Sequence, residues 1–74
     1  MKLRHTVVFP HRTGHYRTQN AAVSKAFGFL IANRHEPVSH RVSELIVRYM
    51  HTPVCRLIVA DDEVCVHYVA KSAI

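Results

Sequence analysis

The 74-residue sequence has no tryptophan, only two glycines, only two cysteines, and no acidic residue before Glu36. Each scarcity excludes something. With glycine only at positions 14 and 28, no glycine-rich loop is available to cradle a phosphate. Cys55 and Cys65 lack the close spacing of a zinc clip. No apolar run approaches the roughly 18–20 residues of a membrane span. The opening "MKLRHTVVFPHR" is charged, and its apolar run is too short for a signal peptide. These absences lead us to expect a cytoplasmic protein, in its own cell or in a host's, with no membrane contact.

Paired carboxylates are nearly missing too. Of five acids, Asp61, Asp62 and Glu63 fall together at an expected hairpin tip, where water solvates them. A Cys-His nucleophile would draw on Cys65 and His67, both in mid-strand and not in a cleft. We therefore expect neither an enzyme nor a cofactor, and no small-molecule substrate.

What is present is apolar and basic. Nearly half of the residues are hydrophobic (49%), enough for one folded domain over residues 1–74. A core of this size supplies about 3–5 kcal/mol net and leaves apolar surface uncovered, so a homodimer is expected. The net charge of +5 is unevenly placed. Lys2, Arg4, Arg12, Arg17, Lys25 and Arg34 precede the first acid, whereas acids slightly outnumber Arg41, Arg48, Arg56 and Lys71 thereafter. Such polarity suits an anionic partner met by the N-terminal half.

Along the chain, "LRHTVVF" alternates as a strand, with Leu3, His5, Val7 and Phe9 on one side. Residues 10–18 read as a loop around Gly14. "NAAVSKAFGFLIANR" reads as a helix capped by Asn20 or Thr18, with an apolar stripe of Val23, Ala26, Phe27, Leu30 and Ile31. Its other side is small: Ala21, Ser24, Gly28 and Ala32. "EPVSHRVSELIVRYMH" reads as a second helix, with Pro37 at its start and Val38, Val42, Leu45, Ile46 and Tyr49 buried. "VCRLIVADDEVCVHYV" reads as a hairpin turning at Asp61-Asp62, with a three-residue turn through Glu63 as the alternative. The Asp61-Asp62 register pairs Cys55 with Tyr68, Leu57 with Val66 and Val59 with Val64, and puts the two cysteines on opposite faces. The expected fold is thus α+β, in the order β-α-α-β-β, with two helices packed on a small antiparallel sheet.

The stretch "HRTGHYR" from 11 to 17 concentrates the chemistry. His11 and His15 have a spacing seen in zinc ligand pairs, and His5 would complete a set only if the loop folded back. No metal is expected, because structural zinc needs four converging ligands. A phosphate-contacting loop fits better. The expected contacts are Arg12, Arg17 and Lys25, with His11 and His15 adding charge below about pH 6.5. Tyr16 is available to stack on a base. His40, Arg41 and Ser43 on the second helix would read base edges, in the outline of a winged helix-turn-helix.

Function then narrows to two classes. The first is a small non-enzymatic regulatory module that binds nucleic acid or a nucleic-acid-handling complex. The alternative is a protein-binding inhibitor module, of the kind phages and plasmids use to block a host protein surface.

Overall fold

The structure, a computed structural model, describes residues 3–69, so Lys2 and Lys71 lie outside the described residues. Five strands form one antiparallel sheet: β1 (His5–Val8), β2 (Thr13–Tyr16), β3 (Glu44–Tyr49), β4 (Thr52–Ala60) and β5 (Glu63–Tyr68). Their spatial order is β2-β1-β3-β4-β5. Among the described residues a single α-helix, α1 (Gln19–Asn33), crosses one face.

The expected pair of helices is therefore wrong. Only the first exists, and the segment assigned to the second is a 3-10 turn at Val38–His40 followed by β3. "LIV" satisfies both a helical and a two-residue period over so short a run. Its β-branched Ile46 and Val47 favour the strand, where Leu45 and Val47 turn inward while Glu44, Ile46 and Arg48 alternate to the other side. Val38, expected inside, is 79% exposed. The helix-turn-helix outline disappears with that helix.

The expected loop at residues 10–18 is also corrected. Its second half is β2, which pairs with β1 from His5↔Tyr16 to Val8↔Thr13. Pro10 still ends β1, as a residue without an N–H should. The chain reverses over Phe9–Arg12, closed by the Phe9 N–H donating to the Arg12 carbonyl at 2.8 Å.

The C-terminal hairpin has the register expected of it, Cys55↔Tyr68, Leu57↔Val66 and Val59↔Val64. Asp61 (φ 51°) and Asp62 (φ 64°) form its two-residue turn. Both central residues lie in the left-handed region, as a type I′ turn requires. The β3–β4 hairpin repeats the device with Met50 (φ 48°) and His51 (φ 77°), between the paired Tyr49 and Thr52.

Thr18 caps α1, its hydroxyl accepting from the Ala21 N–H at 3.1 Å. Ala22, Ala26 and Leu30 are fully buried against Val7, Val47, Cys55 and Leu57. The buried stripe is rotated from the expected one: Ala22 leads it and Phe27 faces outward. Two alanines let the helix lie close to the sheet, which a larger stripe would forbid. At its far end, the Asn33 side chain accepts from the Val42 N–H at 2.6 Å, and Arg34 Nη1 donates to the Asp62 carbonyl at 3.2 Å.

Candidate functional site

The fold gathers one concentrated group of polar and aromatic side chains. The β1–β2 turn rises beside the middle of α1, and between them lies an open cleft of about 420 Å³. Phe9, His11, Arg12 and Tyr16 line it from the hairpin, and Ser24, Lys25, Gly28 and Phe29 line it from the helix. Its volume falls within the roughly 300–1,000 Å³ of small-ligand sites.

The cleft wall is aromatic. Phe9 and Phe29 meet at 5.2 Å between ring centroids, tilted by 51°. The His11 ring stacks on Phe29 at 5.9 Å and 27°. The Arg12 guanidinium carbon stands 6.0 Å from the Phe9 centroid, at the outer limit of a cation–π contact. Positive charge and π-faces thus share one edge of the hairpin.

Tyr16 reaches the cleft through Gly14. The two residues are two apart on β2 and share a face, and the Tyr16 ring folds over the glycine. A β-carbon at Gly14 would collide with Tyr16 Oη and lie 2.8 Å from the ring's Cε2 and Cζ. Tyr16 Oη is itself buried without a hydrogen-bond partner. Buried hydroxyls are ordinarily paired, so this one, packed over Gly14, is an exception within the described residues.

Gly28 has a different reason to be glycine. Its own helix backbone and chain neighbours aside, nothing among the described residues lies within 4 Å of where its β-carbon would be. Mid-helix glycine costs about 1 kcal/mol against alanine, and no packing among the described residues calls for it.

The other expected site residues disperse. Arg17 is exposed in the turn before α1. His15 pairs with Thr6 and alternates with Gly14 and Tyr16, so it points to the opposite face of the sheet from the cleft. His11 and His15 therefore diverge, and His5 meets Tyr49 at 4.9 Å between centroids, tilted by 51°. Among the described residues no three of His, Cys, Asp or Glu converge.

His40, Arg41 and Ser43 do not form a reading helix. His40 ends the 3-10 turn, and Arg41 donates through Nε and Nη2 to the Glu36 carbonyl at 3.3 and 3.0 Å. Ser43 precedes β3, its carbonyl accepting from the Val59 N–H at 2.9 Å. Arg56 pairs with Glu44. Among the described residues, Arg12, Arg17 and Lys25 make no ion pair with a carboxylate.

Sequence reasoning missed Phe9 and Phe29, and singled out Gly28 only as a point of close approach on the small helix face. The Phe9-Pro10 junction at a strand end was the available signal for the first, since it fixes that side chain beside the turn. The cysteines sit as expected on opposite faces, and burial pushes the Cys55 thiol above its ordinary value, only partly offset by a backbone hydrogen bond from Arg56. The chain matches no protein-family model, no curated protein and no solved structure.

Proposed function

We propose that this protein is a non-enzymatic module that holds single-stranded nucleic acid across the mouth of the cleft between the β1–β2 turn and α1. The observation that carries this reading is the pairing of carboxylate-free cations with aromatic faces: Arg12 and Lys25 flank a wall of Phe9, His11 and Phe29. Cationic grooves track a phosphate backbone, and aromatic side chains take unstacked bases without regard to sequence. Arg17, next along the chain from Tyr16, extends the positive charge toward the start of α1.

A single strand is favoured over a duplex. A concave cleft admits one splayed base, whereas a duplex would need an element to enter its groove. The small face of α1, Ala21, Ser24, Gly28 and Ala32, carries no Asn, Gln or Arg to read base edges, and the exposed Asn20 stands alone at the helix start.

The test is retention of a single-stranded oligonucleotide near 50 mM salt, with affinity falling as salt rises. Arg12→Ala and Lys25→Ala each weaken binding and lower the salt slope by about 0.7. Absence of retention at that salt refutes the reading.

The reading includes a homodimer. Helix α1 covers one face of the sheet, and Val8, Ile46 and Ile58 lie on the other by strand alternation. Val8 is 59% exposed there. A second copy apposing this face would cover the row.

A further inference from the structure

We propose that the cleft is a site for one nucleotide, with its base lying on the bare stretch of α1 at Gly28 against Phe29 and its phosphate between Arg12 and Lys25. This rests on the nucleic-acid reading above and names what that site takes. The ligand chemistry is a planar heteroaromatic ring carrying a phosphate.

Four observations converge on it. Gly28 leaves the helix surface without a side chain at the cleft position where a flat ring could touch backbone, and no other described residue comes within 4 Å of where its β-carbon would be, chain neighbours aside. Phe29, next in sequence, already stacks an imidazole, that of His11, at 27°. A heteroaromatic ring can therefore extend or replace that stack. Tyr16 lines the same cleft with a hydroxyl that has no partner among the described residues, and a shift of its ring off Gly14 would present that hydroxyl to a ring or sugar atom. Arg12 and Lys25 supply two positive charges on opposite walls, suited to a phosphate and unneutralised by any carboxylate among the described residues. A purely apolar ligand would leave both cations and the hydroxyl unused. A bare anion would leave Gly28 and the aromatic wall unused.

The same nucleotide can come as a free nucleoside monophosphate or as one residue of a strand. The two glycines of this chain make the sources distinguishable, because Gly14 and Gly28 amide signals fall in a sparse region of a 15N–1H spectrum. The full chain is titrated separately with adenosine monophosphate, inorganic phosphate and a single-stranded oligonucleotide of about twelve residues, within the usual site size. The expected result is a shift at Gly28 with the monophosphate and the oligonucleotide, and a weaker or absent shift with phosphate alone. Gly28→Leu fills the space and is expected to lower oligonucleotide affinity roughly tenfold, the loss of one stacked base. Its melting temperature should not fall, since leucine is the better helix former and Gly28 is exposed, with open space at its β-carbon among the described residues.

Oligonucleotide binding that survives Gly28→Leu but is lost in Arg12→Ala overturns this inference and leaves the nucleic-acid reading standing. A Gly28 shift with the monophosphate, without retention of any oligonucleotide, keeps the nucleotide site and removes the nucleic-acid reading. Equal shifts with phosphate and monophosphate reduce the site to an anion contact and overturn the base assignment.

Discussion

The Tyr16 ring occupies the space that a side chain at Gly14 would need, so the two residues are one packing unit on the edge strand. Gly14→Ala forces the ring outward and is expected to destabilise the protein by about 1–3 kcal/mol, as overpacking does. Adding Tyr16→Ala to Gly14→Ala should recover part of that loss. A double-mutant cycle by urea unfolding measures the coupling, and strictly additive effects would contradict the arrangement.

Gly28 should behave in the opposite way. Gly28→Ala replaces a poor helix former in open space and is expected to raise stability by about 1 kcal/mol. Thermal unfolding of the two alanine variants side by side checks the contrast, because the same substitution acts with opposite sign at the only two glycines.

The β3–β4 turn holds Met50 and His51 in the left-handed region, where side chains other than those of glycine and asparagine are disfavoured. Replacing the pair with Asn-Gly is expected to stabilise the protein by about 1 kcal/mol. A loss of stability instead would show that this reversal is not a two-residue hairpin turn.

Reactivity separates the cysteines. Cys65, half-buried on the face away from α1, should react with a thiol reagent in the folded state. Cys55, fully buried and with its thiol held protonated by desolvation, should react only on unfolding. The pH dependence follows with a definite sign. A thiol whose pKa is higher folded than unfolded favours the folded state below the unfolded value, about 8.5, and that contribution is lost as pH rises beyond it. Cys55→Val should therefore flatten the alkaline fall in stability seen in urea titrations.

Self-association through the uncovered sheet face predicts twice the monomer mass by light scattering. Ile46→Lys, placed beside Arg56 and outside the core, should return the protein to a monomer with its fold intact. A monomer before the substitution removes the dimer.

The legible parts of the fold were those in which one local rule had no competitor. The C-terminal hairpin could be read nearly to the residue pair, because period-two alternation on both arms favours the Asp61-Asp62 register, and the structure decides against the other reading, a three-residue turn through Glu63. The first helix was legible from its cap, though not its rotation, since the choice between Phe27 and Ala22 depends on how closely the sheet approaches. The second helix failed because Leu45, Ile46 and Tyr49 fit a helical stripe while the decisive turn, Met50-His51, contains neither glycine nor asparagine. The β2 strand was hidden for a related reason: "TGHY" is short, and its glycine suggests a loop until the Tyr16 ring is seen to fill the gap. At the site, Arg12, Lys25, His11 and Tyr16 were nameable from charge and residue type. That they meet Phe29 and Gly28 is a tertiary fact, created by a helix laid across a hairpin.

The position of β2 at the margin of the sheet has a dynamic consequence. Its four residues are bonded on one side only, to β1, and rest on α1 above, whereas β3 and β4 are clasped on both sides. Local opening takes the least supported element first. Amide hydrogen exchange should therefore be fastest, among the strands, at Thr13–Tyr16, and that strand carries Tyr16 on the wall of the open cleft. Breathing at this margin would loosen one wall while the interior strands stay closed.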